Sequence, residues 1–149
     1  MKNKQSFQAK KILAIDYGQK FTGLASYIPG VDPFVLLYGR IAYESDEKLC
    51  LAIKNIVDEE LVEAIVVGVP HLLDGQKTNM TQTVESFIQK LKLTLPQFPI
   101  FEQDETLSSF EAKERMQNSP RFNFQIDMKQ IDAVAASIIL EEFYQNLKD

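Results

Sequence analysis

The sequence has few of the residues on which many active sites depend. Its 149 residues include one cysteine, one histidine and no tryptophan. Cys50 cannot form an internal disulfide, and it falls on the inward face of a predicted helix, where cysteine usually serves as a small apolar side chain. No histidine lies near it in sequence to lower the pKa of its thiol. His71 has no metal-ligand partners around it, and we interpret it as a loop residue. A thiol nucleophile and a histidine-rich metal centre are therefore not expected.

A long apolar segment is also absent. No stretch of the chain reaches the roughly 18 apolar residues that a membrane-spanning helix needs. Residues 1–10 are mostly polar and lack the apolar centre of a secretory signal. We expect these residues to form a flexible leader, and we expect the protein to be cytoplasmic with no membrane contact.

Basic residues are fewer than acidic residues in this chain. The chain has 16 lysines and arginines against 21 aspartates and glutamates, which gives a formal net charge of −5. Proteins that bind nucleic acid by bulk electrostatics normally make many lysine and arginine contacts to phosphate, so this class is disfavoured. A nuclease is not excluded, because carboxylates that hold metal ions count as negative in this sum although the bound ions neutralise them.

The apolar pattern predicts one domain over residues 11–149, since 45% of the chain is hydrophobic and 25% is charged. Apolar runs bounded by turn signals predict five strands, over residues 11–17, 21–28, 34–43, 64–70 and 99–105. Helical spacing of apolar residues predicts four helices, over residues 45–60, 80–93, 108–117 and 129–147. Asp127 and Gln130 supply a capping signal for the last helix.

The order of these elements indicates the fold class. Three strands in succession with short connections predict an antiparallel meander, whereas the later strands alternate with helices and require parallel crossovers. We therefore predict an α/β fold with a mixed five-stranded sheet and helices on both faces.

Asp16 is the first candidate site residue. It interrupts a strand that otherwise contains Ile-Leu-Ala-Ile, and Gly18 follows it. A buried carboxylate normally has a cation, a metal ion or several hydrogen-bond donors beside it, because an unpaired buried charge is costly. The alternative is an aspartate at a strand end that accepts hydrogen bonds from the following turn.

Further carboxylates lie at the ends of two other predicted elements. Asp104 and Glu105 end the fifth strand, and alternation allows only one of them to share a face with Asp16. Asp132 lies in the first turn of the last helix, within an otherwise apolar stretch. Each carboxylate has a plain alternative role beside a helix amino terminus, where the helix dipole stabilises negative charge.

Convergence of three carboxylates would be more informative than any one of them. A cluster of carboxylate oxygens at one edge of the sheet is what two divalent cations require as ligands. An Asp132 that lay far from Asp16, or that was engaged in a salt bridge, would count against this hypothesis.

Weaker signals come from residues that could contact phosphate. Lys20, just after the first strand, is equally well a substrate contact or a surface lysine. Asp74-Gly75 is first of all a turn signal, but the same loop carries Lys77 and leads to Asn79, whose side chains could contact phosphate.

Four sequence blocks occur in the order found in a known family. They are Ile12-Leu-Ala-Ile-Asp-Tyr-Gly-Gln-Lys-Phe-Thr-Gly-Leu-Ala25; Val66-Val-Gly-Val-Pro70 with Asp74-Gly75, Gln82, Val84 and Phe87; Asp104-Glu-Thr-Leu-Ser-Ser109 with Glu111-Ala112; and Asp132-Ala-Val-Ala-Ala136 with Ile139-Leu140. They cover nearly the whole chain, which resembles the YqgF/RuvX family of Holliday junction resolvase-like proteins and pre-16S ribosomal RNA nucleases.

The resemblance implies a ribonuclease H-like fold and a metal-dependent nuclease that acts in 5′-end maturation of 16S ribosomal RNA. It implies that Asp16, Glu105 and Asp132 are catalytic and hold two Mg²⁺ or Mn²⁺ ions, and that Asp104 points the other way. The substrate-binding residues that we assign with it are Lys20, Lys77, Asn79 and Thr106. The expected partner is nucleic acid, with precursor rRNA favoured over branched DNA, and the expected state is a monomer or weak homodimer.

One position departs from the family pattern. Phe21 stands where the family usually has arginine, and an apolar ring cannot replace the donors of a guanidinium. Together with the acidic net charge, this departure favours an alternative, a catalytically silent RNA-binding or ribosome-assembly factor of the same fold. The opening Asp-x-Gly segment also looks like that of actin-like phosphotransferases, but those enzymes need two lobes, and 149 residues supply one.

Overall fold

The computed structural model describes residues 3–72, 74–105 and 108–149, apart from the side chains of residues 108–111. Its strands are β1 Ile12–Asp16, β2 Phe21–Tyr27, β3 Leu36–Ala42, β4 Ala64–Pro70 and β5 Ile100–Glu105. Its α-helices are α1 Asp46–Glu60, α2 Asn79–Thr94, α3 Ser108–Gln117 and α4 Ile131–Gln145. Every strand and helix predicted from the sequence is present, and each predicted end lies within two residues of the observed one.

The strands form a single mixed sheet in the order β3-β2-β1-β4-β5. The strands β1, β2 and β3 pair antiparallel, whereas β4 is parallel to both β1 and β5. This arrangement confirms the predicted meander followed by parallel crossovers. It also places the carboxyl ends of β1, β4 and β5 at the same edge of the sheet, where folds of this kind bind their ligands.

Alternating side chains of β1 supply two separate cores. Leu13 and Ile15 pack with α1 and α2 on one face of the sheet, and Ile12 and Ala14 pack with α4 on the other. Helices therefore cover both faces, as predicted. Because side chains alternate along a strand, Asp16 continues the series that faces α4.

The amino terminus of α4 differs from the prediction. Asp127 accepts hydrogen bonds from the backbone N–H of Lys129 at 2.9 Å and from the Gln130 side chain at 3.0 Å, so it stabilises the turn before the helix. Gln130 occupies the cap position and makes no capping bond with its side chain. The helix consequently begins at Ile131, two residues later than the sequence indicates.

Residues 3–10 also differ from the flexible leader that their composition predicts. Residues Lys4–Phe7 form a short 3₁₀ helix, and Asn3 pairs with Lys148 in a parallel bridge. Phe7 is buried against Phe101 and Phe143. Phe7 adds a large buried apolar area to the polar contacts that hold this segment, such as the 3.0 Å ion pair of Lys4 with Asp149.

The described helices and Cys50 bear on the predictions about membrane spans and the single thiol. In the described part of the chain, none of the helices has the length and apolar character needed to cross a membrane. Cys50 is buried, as predicted, and burial raises the pKa of its thiol. Cys50 lies on the buried face of α1, in the core on that side of the sheet. This position and the raised pKa of the thiol agree with a packing role.

Candidate active site

Two glycines allow close packing around Asp16 at the end of β1. Asp16 pairs with Gly23 of β2, and Gly68 follows the residue of β4 that pairs with Ile15. A side chain at Gly23 would collide with the backbone of Asp132, and one at Gly68 would collide with the Glu105 carboxylate. The sheet thus lets α4 and Glu105 approach Asp16 closely because both flanking positions lack a Cβ.

Asp16 and Glu105 are in hydrogen-bonding contact through their carboxyl groups. Burial raises the pKa of both groups, the negative charge of Asp132 adds to the rise at Asp16, and that of Asp16 adds to the rise at Glu105. Two carboxylates this close cannot both ionise easily, so the pair retains a proton when no cation is bound. Glu105 faces Asp16, as the sequence hypothesis requires.

Asp132 joins this pair only in part. It lies in the first turn of α4, close enough for its charge to raise the pKa of Asp16. Its Oδ2 also lies 3.8 Å from Nη1 of Arg40. Among the described residues, no three acidic, histidine or cysteine side chains already surround one point as metal ligands would. The Arg40–Asp132 ion pair counts against the three-carboxylate hypothesis. Its length of 3.8 Å makes it a weak ion pair.

Arg40 is a site residue that the sequence analysis missed. It lies on β3 opposite Gly23, so Asp16, Gly23 and Arg40 form one row across three strands. Its guanidinium stacks 3.6 Å from the centre of the Phe21 ring and donates to the Met128 carbonyl at 3.4 Å. The strand alternation alone could not identify it, because the β2–β3 register decides which β3 residue reaches this row.

Asp104 points away from the carboxylate pair, as predicted. Its side chain is 63% exposed, and its Oδ1 lies 3.0 Å from Nδ1 of His71. The same nitrogen lies 3.1 Å from the Val69 carbonyl. His71 therefore has a defined acidic partner, which its interpretation as a plain loop residue did not include.

Three of the four predicted substrate-binding residues fall among the described residues. Lys20 is exposed in the connection between β1 and β2, and Asn79 is exposed at the first position of α2. The Lys77 ammonium lies 3.3 Å from Glu85. Thr106 lies outside the described residues. Their assignment to substrate stays a prediction.

A polar network around the buried Asp46 side chain fixes the chain immediately after Asp16. Tyr17 and Tyr43 donate hydroxyl hydrogen bonds to Asp46 at 2.7 and 2.8 Å, and Lys90 donates to it at 3.0 Å. Burial opposes ionisation of Asp46, but these hydrogen bonds and the Lys90 charge lower its pKa overall. The network joins the end of β1 to α1 and α2 and so fixes the backbone that carries Asp16.

The donor set fits a divalent cation. Carboxylate oxygens are the ligands that Mg²⁺ and Mn²⁺ prefer, and the Asp16–Glu105 pair has two carboxyl groups whose repulsion a bound cation would relieve. Asp132 would complete such a set after release from Arg40. The arrangement therefore offers the ligand chemistry that hard cations prefer, beside an arginine whose chemistry is suited to phosphate.

Comparison with known proteins gives a family match over most of the chain. Residues 10–146 match the family described as RuvX, Holliday junction resolvase. A protein of Chlorobium phaeobacteroides named "Putative pre-16S rRNA nuclease" is 36% identical over 138 residues, which cover 92% of this chain and 93% of that protein. A protein of the same name from Nitratidesulfovibrio vulgaris is 32% identical and covers 89% and 92%.

Solved structures share the fold at low sequence identity. RuvC of Thermus thermophilus in complex with a Holliday junction substrate superposes with a TM-score of 0.58 and 11% identity, covering 91% of this chain and 94% of that one. The fowlpox virus resolvase in complex with Holliday junction DNA gives a TM-score of 0.53 and 12% identity, covering 93% and 99%. The chain therefore has the ribonuclease H-like fold of RuvC-type resolvases, as predicted.

Proposed function

The chain belongs to the RuvX family of Holliday junction resolvases, and on this premise we propose that it is a metal-dependent endonuclease that hydrolyses phosphodiester bonds. The observation that carries this proposal is the contact between the half-buried carboxyl groups of Asp16 and Glu105, at the sheet edge where α4 brings in Asp132. A protein with only a binding role has no need of two half-buried carboxyl groups held in mutual repulsion.

The proposed cation ligands are Asp16, Glu105 and Asp132, and the proposed cofactor is a pair of Mg²⁺ or Mn²⁺ ions. Bound there, such cations would supply Lewis acidity and would favour the ionised form of a water molecule near phosphorus. The chain itself contributes position. Asp16 is fixed by β1 and by the Tyr17–Asp46 contact, and Glu105 is held over Gly68. Lys20, Lys77, Asn79 and Thr106 would bind phosphates on either side of the cut.

The proposed substrate is the 5′ region of precursor 16S rRNA, with branched DNA as the second substrate to be tested. Support for RNA comes from the names of relatives that match nearly the whole length of this chain. Support for branched DNA comes from the description of the family and from the fold shared with resolvases. We propose that the domain acts in the cytoplasm as a monomer or weak homodimer.

A catalytically silent RNA-binding or ribosome-assembly factor is the second candidate function. It is favoured by the acidic net charge and by Phe21, which puts a ring where the resemblance predicts an arginine. This candidate predicts binding of precursor RNA without metal-dependent cleavage.

The two functions are separated by a cleavage assay with a matched pair of variants. The substrates are a stem-loop RNA with a single-stranded 5′ extension and a four-way DNA junction, each with Mg²⁺ or Mn²⁺. We expect Asp16→Asn to lower the cleavage rate by roughly 100-fold or more. Asp104→Asn removes a nearby carboxylate that faces the other way, so we expect cleavage within about 3-fold of wild type. Equal cleavage by Asp16→Asn would reject the site, and binding of the RNA without any cleavage by the wild-type protein would select the silent factor.

A further inference from the structure

Arg40 is a cation at the acidic site that no sequence motif singles out. We propose that Arg40, supported by the ring of Phe21, binds a phosphate of the nucleic-acid substrate beside the carboxylates, after a divalent cation has replaced it at Asp132. This inference rests on the proposed function, because it names a substrate contact of the same site.

The sheet register aims Arg40 at the site. Arg40, Gly23 and Asp16 are direct neighbours across β3, β2 and β1, so Arg40 and Asp16 emerge on the same face of the sheet. Gly23 has no side chain to stand between them. The backbone of Asp132 lies where a Cβ of Gly23 would be, so α4 packs directly over this row and brings the Asp132 carboxylate to Arg40.

The ring of Phe21 holds the guanidinium without using its donors. At 3.6 Å from the ring centre, Arg40 stacks through its π face, which leaves the N–H groups at the edges of the guanidinium plane directed outward. A stacked arginine loses less freedom when it binds an anion than an unsupported one does. The resemblance predicts an arginine at position 21, and this chain has Phe21 there instead. The ring of Phe21 supports Arg40, an arginine of the neighbouring strand β3.

The contacts that Arg40 makes to protein oxygens are long. Nη1 lies 3.8 Å from Asp132 and 3.4 Å from the Met128 carbonyl, whereas charge-assisted bonds of arginine to carboxylate usually measure about 2.7–2.9 Å. The chain shows the tight form elsewhere on α4, since Arg115 donates to the two oxygens of Glu141 at 2.8 and 3.0 Å. Arg40 is positioned at the site, but its donors are not saturated there.

The Asp132 carboxylate is accessible enough to exchange Arg40 for a cation from solvent. The Arg40 and Asp132 side chains are 28% and 29% exposed, so a hydrated cation can reach the carboxylate. A divalent cation on Asp132 would compete with the guanidinium and release it. Removal of Arg40 should consequently strengthen cation binding, and we expect Arg40→Gln to bind Mn²⁺ roughly 3–10-fold more tightly by calorimetry.

The phosphate contact is tested by binding rather than by turnover. Wild type, Arg40→Gln, Arg40→Lys and Phe21→Leu are titrated by fluorescence anisotropy with the labelled stem-loop RNA and the four-way junction, in Ca²⁺ and over a range of salt. Probe integrity is checked on a gel. Arg115→Gln is the matched control, because it also removes an arginine that pairs with a carboxylate of α4.

We expect Arg40→Gln to weaken binding of at least one probe roughly 10-fold and to reduce the salt slope of log K by about one, the value for one lost phosphate contact. Arg40→Lys should restore the slope, and Phe21→Leu should lower affinity while the slope is kept. Arg115→Gln should leave both unchanged. An Arg40→Gln slope and affinity equal to those of Arg115→Gln would overturn the proposal, as would failure of the wild type to bind either probe.

The outcome is independent of the cleavage assay. If Asp16→Asn cleaves as wild type does, the proposed nuclease site is rejected whatever Arg40 does. If cleavage needs Asp16 but the Arg40 substitution changes neither the affinity nor the salt slope, then only the phosphate contact is rejected.

Discussion

The carboxyl pair of Asp16 and Glu105 is stable only if it keeps a proton or gains a cation. Burial raises the pKa of both groups, and neighbouring carboxylates raise each pKa further. The folded protein therefore binds a proton that the unfolded chain releases above about pH 4. The stability associated with this proton is complete below the ordinary carboxyl pKa and is lost as the pH rises toward the raised one.

The Asp16→Asn variant should be more stable than wild type at neutral pH when no cation is bound. The amide cannot ionise, so the cost of placing a negative charge on residue 16 beside Glu105 and Asp132 disappears. In EDTA at pH 8 we expect its midpoint of thermal unfolding to be roughly 3–6 °C higher, and we expect no gain near pH 4. Circular dichroism melts across this pH range measure the effect. Asp104→Asn, on the exposed carboxylate, should show no such gain, and parallel pH profiles for Asp16→Asn and wild type would contradict the argument.

The two glycines beside Asp16 differ in what a methyl group would meet. At Gly23 it would meet the backbone of Asp132 and Ala133, which cannot move without shifting α4. At Gly68 it would meet the ends of the Ile139 and Glu105 side chains, which can adjust. We expect Gly23→Ala to lower the free energy of unfolding by about 3 kcal/mol or more, and Gly68→Ala by about 1 kcal/mol. Urea denaturation measures both, and equal losses would show that close packing of α4 is not the reason for Gly23.

Single residues of the site were predictable from sequence to different degrees. Asp16 and Glu105 follow from strand alternation and from the costs of burial, which are local properties. Arg40 depends on pairing between β2 and β3, a non-local property that the residue itself does not encode. His71 likewise acquired its partner only when β4 and β5 placed Asp104 beside it.

Among the elements, α1, α2 and the end of β1 are joined by Asp46. Its side chain is 10% exposed and accepts from Tyr17, Tyr43 and Lys90, so its loss leaves the hydroxyl of the buried Tyr17 without this acceptor. We expect Asp46→Ala to lower the free energy of unfolding by about 2–4 kcal/mol. Asp58→Ala is the control, because Asp58 belongs to the same helix but is 60% exposed and pairs only with Lys54 in the described contacts. Chemical denaturation measures the free energy of unfolding of the two variants. Similar losses of stability in both would mean that the Asp46 network does not hold these elements together.

The sequence predicted the presence of each strand and helix correctly, but it predicted the first and last residues of several of them less accurately. Ser45 caps α1 by accepting a hydrogen bond from Lys48 N–H, and such a local bond keeps the observed start of α1 within one residue of the predicted one. At α4 the same logic fails. Asp127 has suitable chemistry but uses it on the preceding turn, and α4 instead begins where Gly23 allows its backbone to reach the sheet.

For the whole molecule, connection lengths were sufficient to predict which strands run antiparallel and which run parallel, since short links favour antiparallel neighbours and helical crossovers favour parallel ones. The packing of residues 3–10 was not predictable from composition. Phe7 fills a place between Phe101 and Phe143, which are distant in sequence and become neighbours only in the complete fold.

The proposed cations would tie together three elements that the chain joins only indirectly: β1 through Asp16, β5 through Glu105 and α4 through Asp132. Ligand binding to the folded state alone adds stability, so Mn²⁺ at about 100 times its Kd should raise the free energy of unfolding by about 2.7 kcal/mol. The gain should shrink at pH 5, because protons on the raised-pKa carboxyls compete with the cation. Melts with and without Mn²⁺ measure it. Asp104→Asn should keep the gain and Asp16→Asn should lose it; a gain of the same size in both variants would place the cation elsewhere on the protein.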